Sequence, residues 1–569
     1  MKTATTNERI VGVFVVALAL FATLWGRCVW LQVLGARGLT ATANKQYTAW
    51  QTLIPQRGRI YDRNGRLLAL SVLTPSVYAN PRHVSNPAAT AQRLAHLVER
   101  DVRTVRERLQ RPKGFVWVAR QVDPGVTPSL DPLRSEGIGI REEPKRFYPH
   151  GRLASHLLGF VNIDQNGLEG LELALNGMLR GQAGWRSTLR DARGHLLIGS
   201  WTQETEALDG ADIVLTIDGV VQQVVEEALD WGMERFHAAG GSVVVMDPHT
   251  GAILALANRP TFDPNDPGQA SADRRRNRAV TDLMEPGSVF KVVTAAAVLE
   301  EGVVSPEDML DCEEGNWPTV GRHVLHDHHP LGLLSFRDVI TYSSNIGTSK
   351  AAQRLSPDTL YRYVRAFGFG ERSGIDIPGE VPGMVAPTAT WSKLSRFIIP
   401  IGQEVAVTPI QLATMMAIIA NGGQRVHPYV VERIQRPEGA IVRSDAPPEG
   451  PRVIRPEIAK QVQSLLVNVV ESGTGRLAKV QGLTVAGKTG TAQKVEPNGR
   501  YSHSRFVASF AGFGPVPDSS FVIVVAMDEP RPAYYGGLVS APMFQRIVEG
   551  LASYWTLPRR EPAGTVGTT

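Results

Sequence analysis

The larger part of this sequence can be interpreted from one short segment, Glu285-Pro286-Gly287-Ser288-Val289-Phe290-Lys291. Pro286 and Gly287 predict that Ser288 opens a helix, where free backbone N–H groups and the positive end of the helix dipole gather. Lys291 follows three residues later on the same helical face, so its amine can reach the Ser288 hydroxyl. This is the arrangement of an activated nucleophile, provided that the lysine is neutral when it accepts the proton. Burial beside another cation would lower its pKa enough for that role.

Two further motifs belong with this segment. Ser343-Ser344-Asn345 lies in a predicted helical stretch, where a hydroxyl and an amide can relay a proton and hold a substrate amide. Lys488-Thr489-Gly490-Thr491 follows the apolar Leu483–Val485, which predicts an edge strand suited to an extended peptide that ends in a carboxylate. Each motif alone also fits a helix cap, a satisfied helix face or a protective edge charge. Together, in this order, they predict one active site.

The sequence around the three motifs alternates between strands and helices. Strands are predicted within 241–258, at Leu483–Val485, at Phe506–Phe513 and at Phe521–Met527, and helices at Val220–Phe236, Val289–Leu299, Phe336–Ala352 and Thr408–Ala420. Strands at both ends with helices between them indicate an α+β domain whose ends close one sheet. The preceding region, from about residue 50 to 210, has short strand patterns, turns and one or two helices, with helical spacing over Ala89–Leu109.

The N-terminus contains the one long apolar run. Ile10–Trp25 is uncharged, and extension to Leu31 gives the length that a helix needs to cross a bilayer. A cleaved signal peptide is disfavoured because the small residues of Ala41-Thr42-Ala43 lie too far beyond the run, and Arg27 argues against a lipoprotein site at Cys28. We therefore predict an uncleaved single-pass anchor, with Lys2 and Arg9 on the cytoplasmic side and the bulk of the chain outside.

Composition narrows the remaining classes. The chain has 569 residues, 43% of them hydrophobic, so it folds rather than stays disordered. The 60 basic and 55 acidic residues are spread along the sequence and give a net charge of +5, which does not favour nucleic acid as a partner. The two cysteines, Cys28 and Cys312, exclude a disulfide framework and a cysteine-rich zinc module.

The motifs resemble those of the class B penicillin-binding proteins, most closely the septal FtsI-type transpeptidases, over almost the whole chain. The segments that carry the resemblance, besides the three motifs above, are Arg57–Gly65, Arg146–Pro149, Gly167–Glu172, Leu215–Asp218, Asn277–Val280, Tyr534–Gly537 and Ser540–Phe544. The resemblance implies a cytoplasmic tail and anchor (1–40), a mostly β pedestal domain of the dimerisation type (41–211), a penicillin-binding, serine β-lactamase-like transpeptidase domain (212–556) and a flexible tail (557–569).

The resemblance also implies a role for each motif residue. Ser288 would attack the penultimate D-Ala carbonyl of a peptidoglycan stem pentapeptide, with Lys291 as general base, Ser343 as proton relay and Asn345 orienting the peptide. Lys488, Thr489, Gly490 and Thr491 would bind the terminal carboxylate, and Lys488 would help to keep Lys291 neutral. The backbone N–H groups of Ser288 and Thr491 would form the oxyanion hole. An acceptor stem amine would resolve the acyl-enzyme, and β-lactams would acylate the same serine.

The resemblance implies no cofactor and no metal, and places the catalytic domain in the periplasmic or extracytoplasmic space outside the cytoplasmic (inner) membrane. Its implied partners are an FtsW-like SEDS membrane glycosyltransferase and other divisome proteins, because no glycosyltransferase motif precedes residue 212. Alternatives remain open: an elongation-type sibling, a β-lactamase, a β-lactam receptor or a catalytically silent scaffold. Neither the acceptor (diaminopimelate or lysine) nor the oligomeric state follows from the sequence.

One cluster near the second motif contains residue types that commonly bind metal ions. Cys312 is followed by His323, His326, Asp327 and the adjacent His328 and His329, and a thiolate–imidazole zinc site is chemically possible there. Adjacent histidines point in different directions in most conformations, which works against chelation. We therefore favour a polar surface loop and predict no metal.

Overall fold

The computed structural model describes residues 4–39, 48–190, 196–444, 448–496 and 498–558. These residues form two compact units, one of residues 1–56 with 181–209 and the other of residues 57–180 with 210–569. Ala41-Thr42-Ala43 and residues 559–569 of the predicted tail lie outside the described residues. The domain boundaries predicted from the sequence stay predictions.

The smaller unit contains the predicted anchor helix, Ala4–Val29, which continues as a π-helical turn at Trp30–Leu34. Its large apolar side chains, among them Phe14 and Phe21, are exposed. Within the described residues, Thr6–Leu34 is the one helix long and apolar enough to span a membrane. The unit also has a three-stranded antiparallel sheet of Thr48–Leu53, Gly184–Arg190 and Leu196–Thr205.

The larger unit begins with a seven-stranded sheet. Its strands, in spatial order, are Ile441–Arg443, Val431–Gln435, Asp212–Leu215, Ile60–Tyr61, Leu67–Ala79 and Val116–Ala119, and Ile138–Phe147 also pairs with Leu67–Ala79. The helical spacing predicted over Ala89–Leu109 corresponds to two helices, Pro87–Leu97 and Val102–Leu109, and not to one unbroken helix. Asp101 caps the second of these helices by accepting a hydrogen bond from the Thr104 N–H at 2.8 Å.

A buried ionic cluster joins three of the segments that carry the family resemblance. Glu172 accepts a hydrogen bond from Arg57 Nε at 2.7 Å and another from Arg146 Nε at 2.6 Å. The Tyr148 hydroxyl also donates to this carboxylate, at 3.3 Å. The side chains of both arginines are 1% exposed and that of Glu172 is 0% exposed. These segments are therefore held together by one fully desolvated anion between two cations.

A five-stranded antiparallel sheet forms the centre of the C-terminal part. Its spatial order is Ile253–Arg259, Gly240–Met246, Phe521–Asp528, Tyr501–Gly514 and Ala486–Val495. The prediction that the two ends of the domain close one sheet is confirmed, since Gly240–Met246 pairs with Phe521–Asp528. Ala486–Val495 lies at the edge of the sheet. The strand predicted at Leu483–Val485 begins a few residues later, at Ala486, and the prediction that the Lys488 motif lies on an edge strand is confirmed.

Alternating residues of the central strands supply the two faces of this sheet. Val243 and Val525 pack with the helices Gly219–Phe236 and Gly536–Tyr554. Val244 and Val524 belong to the other core, together with Pro409–Ala420. The further helices of that core are Lys291–Glu300, Phe336–Thr341, Asn345–Ala352, Pro357–Ala366 and Pro456–Glu471.

Candidate active site

Ser288 lies in a 3-10 turn, Gly287–Phe290, that leads directly into the helix Lys291–Glu300. This turn packs closely against the edge strand. A β-carbon added at Gly287 would lie 3.0 Å from Thr491 O, and one added at Gly490 would lie 2.9 Å from Pro286 O. Glycine at both positions therefore lets the turn that carries Ser288 and the strand that carries Thr491 approach each other closely.

The Lys291 amine is fully buried and faces the Ser343–Asn345 segment. Its Nζ donates to Ser343 O at 2.6 Å and to Asn345 Oδ1 at 2.7 Å, and lies 3.2 Å from Ser343 Oγ. The Ser288 side chain is half-buried and makes no hydrogen bond within the described residues. In this state Lys291 therefore contacts the second motif and not the Ser288 hydroxyl.

Ser343 lies between the two buried lysines. Lys488 Nζ is 2.9 Å from Ser343 Oγ, so the same hydroxyl contacts both amines. The prediction of a continuous helix through this motif is wrong: one helix ends at Thr341, the next begins at Asn345, and Ser343 has a φ of 63°. A left-handed serine is strained, and the break turns both of its oxygens towards the lysines.

The electrostatics of the cluster favour loss of a proton from the lysines. Burial lowers the pKa of Lys291 to about 7, although the nearby Asp327 and Cys312 act to raise it. Burial, and then repulsion by Lys291, hold the pKa of Lys488 well below its usual range. Two amines that share one hydroxyl in a desolvated site cannot both remain charged without a large cost. A neutral lysine at neutral pH is therefore available as a base.

In the sequence, Asp327 was considered only as part of the possible zinc cluster or of a polar surface loop, and its contacts with the second motif were missed. Its carboxylate accepts hydrogen bonds from the Ser344 hydroxyl at 2.5 Å and from the backbone N–H groups of Asn345 and Ile346. Next to it, the carbonyl of His326 accepts from Asn345 Nδ2 at 2.8 Å, which directs Asn345 Oδ1 towards Lys291. These contacts are long-range, so no local pattern signals them.

The threonines of the edge strand are held by residues that sequence reasoning did not select. The hydroxyls of Thr489 and Thr474 are 2.9 Å apart, and Thr491 Oγ1 accepts from the Gly536 N–H at 3.0 Å. Tyr535, which precedes this glycine, contacts the ring of His328 at a centroid distance of 4.6 Å. The strand carrying Lys488 is thus fixed from the segment Tyr534–Gly537, which the sequence indicated only through the family resemblance.

The Cys312 and histidine cluster has other contacts. Cys312 is buried, and its sulfur lies 3.3 Å from the Ser344 hydroxyl oxygen. His323 Nδ1 is 3.0 Å from Thr319 Oγ1, and His326 Nδ1 is 2.8 Å from Asn316 Oδ1. Across the residues that the structure describes, no group of three or more histidine, cysteine, aspartate or glutamate side chains could hold a metal ion.

The site as a whole combines a serine on a helix-opening turn, two buried amines, a relay hydroxyl between them and an edge strand with two threonines. This set can activate a hydroxyl nucleophile, bind a carboxylate on an extended peptide and move a proton to a leaving amine. It is therefore suited to acyl transfer from a peptide.

Comparison with known families agrees with this chemistry. Residues 241–549 match the family described as the penicillin binding protein transpeptidase domain. Residues 52–215 match the family described as the penicillin-binding protein dimerisation domain.

Similar proteins are found among both curated sequences and solved structures. The probable peptidoglycan D,D-transpeptidase PenA of Neisseria meningitidis is 36% identical, covering 96% of this chain and 93% of the relative. The peptidoglycan D,D-transpeptidase FtsI of Escherichia coli is 33% identical, covering 94% and 90%. The crystal structure of penicillin binding protein 3 of Mycobacterium tuberculosis, complexed with aztreonam, matches with a TM-score of 0.71 and 29% identity, covering 91% of this chain and 100% of that one.

Proposed function

The chain belongs to the class B penicillin-binding proteins of FtsI type and is a serine-type peptidoglycan D,D-transpeptidase, and we propose that Ser288 is its nucleophile. The observation that carries this assignment is the shared hydrogen bonding of the Ser343 hydroxyl by Lys291 and Lys488 beside the Ser288 turn. Two buried amines on one hydroxyl, with the pKa of Lys291 lowered to about 7, are typical of a functional site.

In the first half-reaction, Ser288 Oγ forms a bond to the carbonyl carbon of the penultimate D-Ala. Lys291, in its neutral form, takes the hydroxyl proton, and the backbone N–H groups of Ser288 and Thr491 stabilise the developing oxyanion. The C–N bond to the terminal D-Ala then breaks. The proton passes from Lys291 through Ser343 to the departing amine, which leaves as D-Ala.

In the second half-reaction, the amine of a neighbouring stem peptide attacks the acyl-enzyme. The proton that this amine loses returns through the same relay to Ser288 Oγ as the ester C–O bond breaks. The products are a crosslinked peptide and the free enzyme. Asn345 orients the donor peptide during both steps.

Lys488, Thr489 and Thr491 bind the terminal carboxylate of the donor, with Gly490 allowing the strand to come close. A charge-assisted contact from the ammonium form of Lys488, or hydroxyl donors when it is neutral, suits this anion. β-Lactams acylate the same serine, which is consistent with the aztreonam complex of the mycobacterial relative. The protein thus acts on peptidoglycan and binds β-lactams.

The protein is membrane-anchored through its N-terminal helix, and we propose a single pass with the N-terminus in the cytoplasm and the catalytic domain outside. A septal role in cell division, with an FtsW-like SEDS glycosyltransferase and other divisome proteins as partners, is supported by the likeness to FtsI. Depletion distinguishes this role from elongation: filamentous cells are expected, whereas rounded cells would assign the elongation role.

The decisive experiment is labelling of the full-length, detergent-purified protein with a fluorescent penicillin. We expect a long-lived covalent band in the wild type and in the control Ser356→Ala, which removes an exposed helix cap, and no band in Ser288→Ala. Persistence of the band in Ser288→Ala would exclude Ser288 as the nucleophile. A band that clears within seconds would indicate a β-lactamase, and a folded wild type without any band would support a scaffold.

A further inference from the structure

Asp327 occupies the point where the relay motif is anchored to the rest of the domain. It follows the short strand Val324–His326, and its own N–H donates to Gly315 O at 3.0 Å. Its carboxylate reaches the motif with both oxygens: one accepts from the N–H groups of Asn345 and Ile346, and the other accepts from the Ser344 hydroxyl at 2.5 Å. One side chain therefore contacts two of the three motif residues and the first turn of the helix that follows.

The conformation that these contacts hold is one that the chain would not adopt unaided. Ser343 has a φ of 63°, in the left-handed region that is strained for a residue with a side chain. This turn is what presents both the carbonyl and the hydroxyl of Ser343 to Lys291, and the hydroxyl to Lys488. If the segment relaxed to a continuous helix, Ser343 would lose this conformation.

We propose that Asp327 is a positioning residue for transpeptidation, which locks the Ser343–Asn345 turn in the conformation that serves both lysines and whose negative charge acts on Lys291. The proposal rests on the proposed function, since it assumes that Ser343 and Lys291 handle the proton of Ser288. Asp327 itself does not touch the substrate in this account. It acts through Ser344 and the two backbone N–H groups.

The charge of Asp327 affects protonation of Lys291, which a helix cap alone would not do. The ionisable groups around the Lys291 amine are Lys488 from the edge strand, Asp327 from the loop after Val324–His326 and Cys312 from the loop after Met309–Asp311. Asp327 is the one carboxylate among them, and it raises the pKa of Lys291 against the effect of burial. Removing its charge should therefore let Lys291 lose its proton at a lower pH.

The test compares Asp327→Asn and Asp327→Ala with the control Asp101→Asn in the full-length protein. Asp101 caps the helix Val102–Leu109 through the Thr104 N–H, so the control repeats the same chemical change at a helix start remote from the lysines. The second-order rate constant for acylation by a penicillin is measured from pH 5 to pH 9 by intact-protein mass spectrometry. The thermal midpoint is measured for each variant.

Asp327→Ala should slow acylation about 100-fold, the typical cost of misplacing a catalytic group by about 1 Å. Asp327→Asn keeps an oxygen for the backbone N–H groups, so it should be slowed less. The acidic limb of its pH profile should also move to lower pH. Asp101→Asn should change neither the rate nor the limb.

Asp327→Asn also keeps the proposal testable if the alanine variant does not fold. An Asp327→Asn enzyme with wild-type rates and an unmoved acidic limb would overturn the proposal. Failure of the proposed function is a separate result, because it would appear as absent or Ser288-independent acylation in the wild type.

Discussion

The larger unit contains two groups of fully buried charges that differ in how the charges are paired. In the cluster of Arg57, Arg146 and Glu172, one carboxylate lies between two guanidinium groups, and each arginine donates directly to it. In the cluster of Lys291 and Lys488, two amines contact one neutral hydroxyl, and within the described residues no carboxylate hydrogen-bonds to either amine. The first group joins opposite charges, and the second joins like charges.

This difference separates a structural role from a chemical one. A buried anion between two cations recovers much of its desolvation cost through its partners, and loss of one partner is expensive. Two like charges have no such recovery, so they respond by giving up a proton. Burial lowers the pKa of Lys291 to about 7, and burial together with repulsion by Lys291 lowers the pKa of Lys488. The same burial thus fixes the fold in one place and prepares a base in the other.

Among substitutions in the two clusters, replacement of Lys291 should produce the largest effect, and on activity alone. Lys291→Met removes the base but keeps most of the side-chain volume, so acylation by a penicillin should fall by a factor of about 10³ or more, near the upper part of the range for proton-transfer catalysis. The thermal midpoint should not fall, because a buried amine without a carboxylate partner is lost. Acylation rates and thermal unfolding of the full-length protein measure both effects.

Lys460→Met is the matched control for this variant, because Lys460 is an exposed lysine on the helix Pro456–Glu471. It should leave both quantities unchanged. A strong fall in the thermal midpoint of Lys291→Met, with the control unaffected, would mean that Lys291 is structural in the same sense as the arginine cluster.

Replacement of Glu172 should do the opposite. Glu172→Gln leaves Arg57 and Arg146 buried without a counter-charge, which typically costs about 3–5 kcal/mol in the free energy of unfolding. The fraction of the protein that stays folded should be acylated at nearly the wild-type rate, because the cluster makes no contact with the lysines. Urea unfolding and penicillin labelling at low temperature measure the two quantities.

The control for this comparison is Glu169→Gln. Glu169 pairs with Arg275 at 2.9 Å, but its side chain is 35% exposed, so the pair is partly solvated. Its loss should cost less than about 1 kcal/mol. Equal destabilisation by the two substitutions would show that the buried Glu172 cluster contributes no more to the free energy of unfolding than a partly exposed ion pair.

The positions that the sequence predicted well are those whose roles follow from local spacing. The turn at Pro286–Ser288 opens a helix as expected, and the anchor helix and the closing of the central sheet by Phe521–Asp528 are confirmed. In each case a few neighbouring residues determine the backbone: a proline and glycine before a helix, a long apolar run, or an alternating apolar strand.

The features that were missed depend on residues far apart in the chain. The apolar spacing of 336–352 is continuous, yet the helix breaks at Ser343 because Asp327 and Lys291 offer hydrogen bonds that a continuous helix could not use. Likewise, the convergence of Arg57, Arg146 and Glu172 joins segments separated by up to 115 positions. Single-sequence patterns carry no information on such contacts.

The pH dependence of stability should provide the most specific difference between the two clusters. The pKa of Lys291 is about 7 in the folded protein against an ordinary value of 10.5, so between these limits the unfolded chain binds more protons than the folded one. The free energy of unfolding should therefore rise with pH across this window, by at most about 1.4 kcal/mol per pH unit for each such proton. Below about pH 7 both states hold the proton, so Lys291 no longer makes the free energy of unfolding depend on pH.

Lys291→Met should reduce the slope of the free energy of unfolding against pH, measured by urea unfolding between pH 7 and 10, whereas Lys460→Met should keep this slope. An unchanged slope in Lys291→Met would mean that Lys291 keeps its proton on folding, and the distinction between the two clusters would then fail at its electrostatic basis.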